Sequence, residues 1–276
     1  MKEFTDKLKQ IQLNILDEFI KICDEHHFQY FALGGTALGS VRHGGFIPWD
    51  DDIDVGLSRE EFEAFLNVAQ AELPSGMFLQ TFKTDENYPC CFAKIRVSNT
   101  TFIEKTLSNI DINHGVYIDI FPLDGYPEGV ARRLAFHVRE RILKAAVAGC
   151  YLLDESQAGW IKKTVKRTIR KQIPYKKAVR KLDEMYRQYS YRDSTTIGVL
   201  SFGGNEIMPK AVFGNGVTGT FEGRSIRLPE KTDEYLTRLY GDYMTPPPPE
   251  ERIAHHYCTV IDLEKPYTVY RDQGDV

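Results

Sequence analysis

The chain has 276 residues, of which 42% are apolar, and carries a formal net charge of −4. This length and composition can bury one sizeable core, and they exclude a disordered chain. The sequence opens with no signal-peptide pattern and contains no apolar run of about 18 residues, so we expect a protein that is neither exported nor membrane-spanning. Five scattered cysteines without zinc-ligand spacing indicate reduced thiols in a cytoplasmic compartment.

The charge is unevenly distributed along the chain. Residues 131–190 hold sixteen Lys or Arg against five Asp or Glu, so this stretch is strongly basic while the remainder is acidic. We therefore predict three parts. Residues 1–127 form the catalytic core, residues 128–192 form a basic helical segment that faces a membrane or the acceptor, and residues 193–276 add a hairpin and a helix that complete the core.

The first part of the chain predicts helices around one short strand. Apolar residues recur every three or four positions from Phe4 to Ile22, which is the stripe of an amphipathic helix. The stretch "FQYFALGG" then predicts a buried strand that closes on a Gly-Gly turn, and a brief helix beginning near Thr36 follows it. Ser58 and Glu61 form a capping box, which starts the next helix.

The remaining stretches predict a sheet, a basic helical region and a C-terminal hairpin and helix. Short apolar or alternating runs that are broken by Asn, Pro and Gly are typical of strands, namely "MFLQTF", "FAKIRV", "TFI" and "VYIDIFPL". Residues 128–190 have a helical and basic pattern. The stretch "GTFEGRSIRLP" predicts a hairpin, and "TDEYLTRLYGDYM" predicts a late helix. The prolines of "TPPPPEE" predict an extended segment after this helix.

An acidic cluster marks the candidate site. In "WDDDIDVGL", Asp52 and Asp54 are two apart on a strand and project to one side, while Ile53 and Val55 point into the core. Two bare carboxylates side by side repel each other unless a cation lies between them, and Mg²⁺ or Mn²⁺ prefers such oxygen ligands. Asp119, flanked by isoleucines in a second buried strand, is a candidate third ligand. A solvated loop or a helix cap is the alternative for the cluster.

The turn "LGGTALGS" precedes these aspartates in the chain. Its glycines at positions 34 and 35 let backbone N–H groups approach an anion closely, and the helix that follows directs its positive end at the same point. Simple loop closure is the alternative for a glycine-rich turn. Together with the aspartates, the turn predicts a site that binds phosphates through backbone amides and through a metal ion.

Several stretches resemble the LicD family of phosphocholine transferases, which is related to the fukutin group. They are "GGTALGSVRHGGFIPWDDDID", "FAKIRVSNTTFIE", "YIDIFPLDGYP" and "EYLTRLYGDYM". The resemblance implies an α+β fold with a polymerase-beta-like nucleotidyltransferase core, in which helices flank a mixed sheet, here with a helical basic insertion. It also implies CDP-choline as the donor, a sugar hydroxyl of a teichoic acid or lipopolysaccharide precursor as the acceptor, and CMP as the leaving product.

Three alternatives to this activity remain open at the level of sequence. The same metal core could move an alditol phosphate from a CDP donor, or a nucleotidyl group onto a small molecule. A nucleic-acid-binding protein is the alternative from a different class, in which the basic helix carries the affinity and the aspartates are structural.

The resemblance assigns roles to individual residues of this chain. The metal ligands and catalytic carboxylates would be Asp52, Asp54 and Asp119. The groups that hold the phosphates would be Gly34, Gly35, Thr36, Arg42, Lys94 and Arg96. Surface salt bridges are the alternative for the three cationic side chains.

The choline group requires a different kind of contact, because aromatic faces bind a quaternary ammonium best. Trp49 and Tyr88 are the candidates for this contact, and core packing is the alternative for both. Among the histidines, His256 is the candidate substrate contact, with a plain surface position as the alternative.

The basic segment predicts a contact with lipid. Apolar residues between Trp160 and Ile173 follow a spacing close to four, with Lys and Arg between them, which is typical of an interfacial helix on an anionic membrane. An amphipathic helix packed on the core is the alternative. We therefore expect peripheral association with the inner face of the plasma membrane, close to a lipid-linked glycan acceptor, and no specific nucleic-acid partner.

Overall fold

The computed structural model describes residues 2–151, 168–169, 171–201, 206–252 and 258–271. Most of the predicted basic helix over residues 160–173 lies outside the described residues, and so does His256.

Helices and strands are mixed along the chain, as expected for an α+β protein. The described α-helices are α1 (Lys2–Glu25), α2 (Gly34–His43), α3 (Arg59–Glu72), α4 (Val130–Val147), α5 (Tyr175–Tyr186) and α6 (Thr232–Tyr240). The described strands are β1 (Tyr30–Ala32), β2 (Asp54–Ser58), β3 (Met77–Gln80), β4 (Ala93–Val97), β5 (Thr101–Glu104), β6 (Val116–Gly125), β7 (Thr196–Gly198), β8 (Met208–Pro209), β9 (Val217–Phe221), β10 (Arg224–Leu228) and β11 (Cys258–Asp262).

A mixed sheet lies at the centre of the fold. Its described strands follow the order β1-β2-β6-β4-β3, with β7 paired to β6 and β8 paired to β7. The pair β2 and β6 is parallel, whereas the other pairs are antiparallel. The predicted mixed sheet flanked by helices is thus confirmed. The three-part division of the chain at residues 127 and 192 stays a prediction.

The two parallel strands are largely buried, and most side chains of β6 are apolar. Every residue of β6 is buried, and Ile53, Val55 and Ile120 have no exposed surface. Strands that are covered on both faces have this composition. Two buried aspartates, Asp119 and Asp124, interrupt the apolar run of β6. Because a buried carboxylate is costly without a partner, each of them requires a compensating charge.

The apolar stripe of α1 and the N-terminal cap of α3 explain two of the helices that flank the sheet. The apolar stripe of α1 is buried from Leu8 onward, while Phe4 remains exposed. The α3 helix begins at the predicted cap, where the Glu61 amide donates to Ser58 Oγ at 3.3 Å. The reciprocal bond differs from that of a capping box, because the Glu61 carboxylate accepts from the Ser58 hydroxyl at 2.8 Å rather than from the Ser58 amide.

The predicted hairpin and late helix are confirmed as β9, β10 and α6. Glu222 and Gly223 connect the two strands with φ angles of 48° and 75°, which is the left-handed backbone that two-residue hairpin turns require. Phe221, Ile226 and Tyr235 pack in the same apolar cluster as α1 and the central sheet.

The helices α4 and α5 form a second apolar cluster with each other, and a buried ion network joins it to the sheet. Arg59 at the start of α3 donates from Nε and Nη2 to the two carboxylate oxygens of Asp124, at 2.6 and 2.7 Å. Its Nη1 donates to Asp183 of α5 at 3.0 Å. All three side chains are buried, so the network connects α3, β6 and α5.

None of the helices in the described part of the chain combines the length and the apolar character that a bilayer crossing requires.

The buried network predicts a large loss of stability when one charge is removed. Asp124→Asn should lower the free energy of unfolding by about 3–5 kcal/mol, because it leaves the buried Arg59 guanidinium incompletely compensated. Urea denaturation measures this change. Glu63→Gln is the matched control, since Glu63 contacts the same guanidinium at 3.4 Å but is partly exposed. It should cost less than about 1 kcal/mol, and equal losses in the two variants would contradict the prediction.

A buried histidine predicts sensitivity to acid. His114 donates from Nε2 to the Ile110 carbonyl at 2.9 Å, and burial, with the nearby charge of Arg96, lowers its pKa to about 4 from an ordinary 6.5. The unfolded chain therefore binds the proton more readily than the folded chain. The part of the folding stability that depends on a neutral His114 is fully present above pH 6.5. It is lost as the pH falls toward 4, by an amount on the order of 3 kcal/mol.

Urea denaturation at pH 7.5 and at pH 5 tests this dependence. His114→Gln retains a donor for Ile110 but does not titrate, so the variant should lose less stability between the two pH values than the parent protein does. An identical loss in the two proteins would assign the acid sensitivity to other groups.

Candidate active site

A cleft with a volume of about 850 Å³ opens where β1, β2 and β6 meet α2 and α6. It brings together most of the residues that the sequence analysis selects. Among the described residues, those lining the cleft include Gly34, Gly35, Arg42, Trp49, Asp52, Asp54 and Asp119. The described part of the lining contains one guanidinium, that of Arg42, against seven carboxylates, those of Asp50, Asp52, Asp54, Asp119, Glu206, Asp242 and Glu251.

The pairing of β2 with β6 positions the two central carboxylates. Asp54 lies directly opposite Asp119 in the parallel register, and the Asp119 amide donates to the Ile53 carbonyl at 2.9 Å. Neighbouring residues in register project to the same face of a sheet, so the two carboxylates point into the cleft together. Asp52 lies just before β2 and also lines the cleft.

Lys94 lies next to Asp119 on the adjacent strand. Its Nζ lies 2.8 Å from Asp119 Oδ1 and 3.8 Å from Glu104 Oε2, and 3.3 Å from the centre of the Tyr117 ring. The side chain is buried. This position corrects the expectation that Lys94 contacts a diphosphate, because the amine is engaged beneath the cleft by Asp119.

Arg96 occupies the same face of β4 as Lys94, as the alternation predicts, but it is fully buried. Its guanidinium donates to Gln80 Oε1 at 2.5 Å, to the Gly115 carbonyl at 2.7 Å and to Glu104 Oε2 at 3.3 Å. The expected contact between Arg96 and a diphosphate is therefore corrected as well: the residue supports the sheet beneath the cleft.

Thr36 also has a different role from the expected one. The Asp54 amide donates to Thr36 Oγ1 at 2.8 Å, and the Leu33 amide donates to the Asp54 carbonyl at 3.0 Å. Thr36 is buried. It therefore fixes the backbone of a cleft carboxylate, and it is not among the described residues that line the cleft.

The two glycines, which we expect to hold phosphate, lie on the cleft wall, where other groups already contact them. α2 begins at Gly34, whose amide donates to the Tyr235 hydroxyl at 2.9 Å. A Cβ atom at Gly35 would lie 2.4 Å from Asp50 Oδ2, so the absence of a side chain lets this carboxylate approach the start of the helix. A phosphate bound at Gly35 would have to displace Asp50, and the Gly34 amide already has an acceptor.

Trp49 lies on the cleft wall between two arginines. The Arg42 guanidinium lies 6.0 Å and the Arg252 guanidinium 5.3 Å from the centre of its ring. Arg42 also donates from Nη1 to the Tyr243 carbonyl at 2.6 Å, and burial and nearby Arg252 lower its pKa, while Tyr240 raises it. Arg42 and Trp49 are thus available to a ligand in the cleft.

Tyr88 is not available to such a ligand. Only 1% of its surface is exposed, and its ring packs with Leu107, Ile110 and Ile112 and lies edge-on to Phe92. This position corrects the expectation that Tyr88 contacts choline. The aromatic residues that line the cleft are Trp49, Tyr240 and Tyr243.

The sequence analysis missed five acidic or phenolic residues among the described residues that line the cleft, namely Glu206, Tyr240, Asp242, Tyr243 and Glu251. Glu206 is partly buried near Asp54, and this burial raises its pKa to about 7. Nothing in the surrounding stretch "GNEIMP" signals this position. Tyr240 lies within "EYLTRLYGDYM", one of the stretches on which the family resemblance rests, so this motif did contain the signal.

The donor set of the cleft fits a hard divalent cation. Burial raises the pKa of Asp54 well above its usual range, and the nearby charges of Asp52 and Asp119 raise it further. In the part of the chain that the structure describes, three potential ligands converge within 4.8 Å of one another at Asp50, Asp51 and Asp52. The expected trio of Asp52, Asp54 and Asp119 shares the cleft but does not form this compact group.

The cleft lies in a part of the chain that is similar to known proteins. The profile described as "LicD/FKTN/FKRP, nucleotidyltransferase domain" matches residues 27–137, the range that contains β1, β2 and β6. The lipopolysaccharide cholinephosphotransferase LicD of Haemophilus influenzae is 30% identical over 93% of this chain and 97% of its own length. The chain belongs to the LicD family.

Other relatives of this LicD-family protein match shorter stretches. An uncharacterised protein of Rickettsia prowazekii is 31% identical over 39% of this chain and 37% of its own length. The ribitol 5-phosphate transferase FKRP of Mus musculus is 27% identical over 36% of this chain and 17% of its own length. The predicted relation to the fukutin group is thus confirmed.

The contact between Thr36 and Asp54 predicts a measurable effect without any ligand. Thr36→Val should lower the free energy of unfolding by about 1–3 kcal/mol, because the buried Asp54 amide loses its acceptor. Thr36→Ser retains the hydroxyl and is the matched control. Thermal or urea denaturation of the ligand-free protein measures both. A residue that only binds phosphate would leave ligand-free stability unchanged in the two variants.

Proposed function

We propose that the protein is a metal-dependent transferase that moves phosphocholine from CDP-choline to a sugar hydroxyl of a teichoic acid or lipopolysaccharide precursor and releases CMP. The polymerase-beta-like nucleotidyltransferase core would provide its active site. The observation that carries the proposal is the carboxylate-lined cleft at the β2–β6 pair, in a chain that aligns over almost its whole length with a cholinephosphotransferase.

The charge of the cleft supports the requirement for a cation. A nucleoside diphosphate donor is anionic, and seven carboxylates against one guanidinium would repel it. Mg²⁺ or Mn²⁺ would reverse this balance, since both take carboxylate and phosphate oxygens as ligands. We propose Asp52, Asp54 and Asp119 as its ligands, with Asp50 as a further carboxylate within reach of the same cation.

The bound cation would polarise the phosphoryl oxygens and stabilise charge on the departing CMP. The residues of the chain have separate tasks. Thr36 fixes the backbone of Asp54, and Lys94 orients Asp119 through one of its oxygens. Arg42, on the cleft wall, supplies the positive charge that the diphosphate still requires.

The proposed transfer is an in-line displacement at the phosphorus that carries choline. The oxygen of the acceptor hydroxyl forms a bond to this phosphorus, and the bond between the phosphorus and the bridging oxygen breaks, so that the electron pair leaves with CMP. The hydroxyl proton passes to a carboxylate of the cleft.

Choline would be held by the aromatic and acidic wall of the same cleft. Trp49, Tyr240 and Tyr243 offer ring faces or edges, and the carboxylates favour a positive charge. We propose Trp49 as the aromatic contact, with the two tyrosines replacing Tyr88 of the sequence-based expectation.

A second candidate function is the transfer of an alditol phosphate from a CDP donor. The similarity to a ribitol 5-phosphate transferase favours it. The reaction would use the same carboxylates, and only the group attached to the reacting phosphorus would change. We propose that the acceptor in either case is a lipid-linked glycan at the inner face of the plasma membrane.

One assay separates these reactions. Purified protein is incubated with Mg²⁺, an acceptor that contains an acetylhexosamine, and either CDP-choline or CDP-ribitol. We expect CMP release with CDP-choline. Release with CDP-ribitol alone would favour the second candidate, and pyrophosphate release from CTP or ATP without CMP would overturn both.

The proposed metal site predicts a loss of activity when one carboxylate is removed. Asp54→Asn should lower CMP release by at least about 100-fold, because a metal ion contributes several kcal/mol to the stabilisation of the transition state. Asp193→Asn is the matched control at an exposed aspartate and should retain full activity. Circular dichroism checks that both variants are folded. Retained activity in folded Asp54→Asn would contradict the proposed metal site.

A further inference from the structure

The α4 helix has two apolar faces, although a surface helix ordinarily has one. Its inner face packs against α5 through buried residues that include Phe136 and Leu143. Its outer face carries an apolar residue at every fourth position, and residues four apart lie on one side of a helix. Their exposed fractions are 84% for Val130, 65% for Leu134, 52% for Val138 and 41% for Ile142.

Basic side chains flank this exposed row. The sequence of α4 contains five Arg or Lys and one Glu. Arg139 and Arg141 are exposed, and each lies three positions from a residue of the row, so both border it. The glutamate, Glu140, is held by Lys144 Nζ at 2.9 Å and by the Tyr186 hydroxyl at 3.1 Å. The outward surface of α4 is therefore both apolar and positively charged.

Three residues of the row also line a groove with a volume of about 690 Å³, which α4 forms with Ile173 and with Lys181 of α5. Seven of its nine described lining residues are apolar and two are basic, with no acidic residue among these nine. The basic residues are Arg139 and Lys181, which lie at the border of the apolar lining. The groove thus has the same character as the row on α4.

We propose that this face docks the protein on an anionic lipid surface. We define the α4 docking face as Val130, Leu134, Val138 and Ile142 with the exposed arginines beside them. The aliphatic side chains would enter the boundary between head groups and acyl chains, while the arginines contact lipid phosphates. The face lies within residues 128–192, the segment that we expect to face a membrane or the acceptor, and outside residues 160–173, for which the sequence predicts the lipid-binding helix. The purpose of docking, delivery of a lipid-linked acceptor, rests on the proposed function.

Charge favours lipid over a second copy of the chain. In a symmetric dimer formed through this face, the same positively charged surface of both copies would meet. Such like-charge contacts oppose association. Nucleic acid fits the arginines but not the aliphatic row, because aliphatic side chains offer no ring face on which bases stack.

Vesicle sedimentation tests the inference. The protein is mixed at low salt with vesicles of phosphatidylcholine, or of phosphatidylcholine with phosphatidylglycerol, and should sediment with the second kind. Val138→Asp should weaken this binding by about tenfold or more, because it places a charge in the apolar row that would enter the membrane. Val269→Asp is the matched control, since this valine is 48% exposed in another part of the fold and its change should leave binding unaltered.

A second variant isolates the electrostatic part. The double variant Arg139→Gln and Arg141→Gln should bind the anionic vesicles more weakly than the parent and with a smaller dependence on salt. CMP release with a soluble acceptor should be unchanged in all of these variants, so a failed transferase assay would not affect the docking result.

Three outcomes would overturn the inference. The first is sedimentation of Val138→Asp that equals sedimentation of the parent, and the second is no sedimentation of the parent at low salt. The third is a parent protein that elutes as a dimer in size-exclusion chromatography and becomes a monomer on Val138→Asp, which would make the face an interface between two copies.

Discussion

The fold depends on keeping negative charge within a buried pair of parallel strands. The in-register pairing of β2 with β6 places Asp54 opposite Asp119 and gives the cleft its chemical character. The same pairing is costly, because burial and mutual repulsion both oppose ionised carboxylates. Lys94 offsets part of this cost from the adjacent strand, and the backbone of Asp54 is held by Thr36 and Leu33. The neighbouring structure therefore serves to hold these two side chains in place.

Local patterns in the sequence predicted the elements that surround the site. Alternation between apolar residues and aspartate placed Asp54 and Asp119 on buried strands, and the capping residues Ser58 and Glu61 located the start of α3. These features follow from periods of two and of three to four residues, which act within a few positions of the chain. For this reason the mixed sheet and its helices could be predicted without knowledge of distant contacts.

The errors concern residues whose roles depend on what lies next to them in space. Alternation correctly placed Lys94 and Arg96 on one face of β4, but it could not show that this face lies beneath the cleft, against Asp119, Glu104 and Gln80. Thr36 was assigned to phosphate because it follows two glycines, whereas its acceptor role toward Asp54 depends on strand pairing. Glu206 had no local signal at all. Burial and long-range partners decide these roles, and a short window of sequence contains neither.

β6 carries a second buried carboxylate five residues beyond the first. Asp119 meets Lys94, and Asp124 meets Arg59. An odd separation turns two side chains of one strand toward opposite sides of a sheet. Inserting or deleting a single residue between these aspartates would rotate one of them away from its lysine or arginine partner. Its charge would then lie unpaired among apolar neighbours. The length of this strand segment is therefore fixed by the requirement to serve both sides of the sheet.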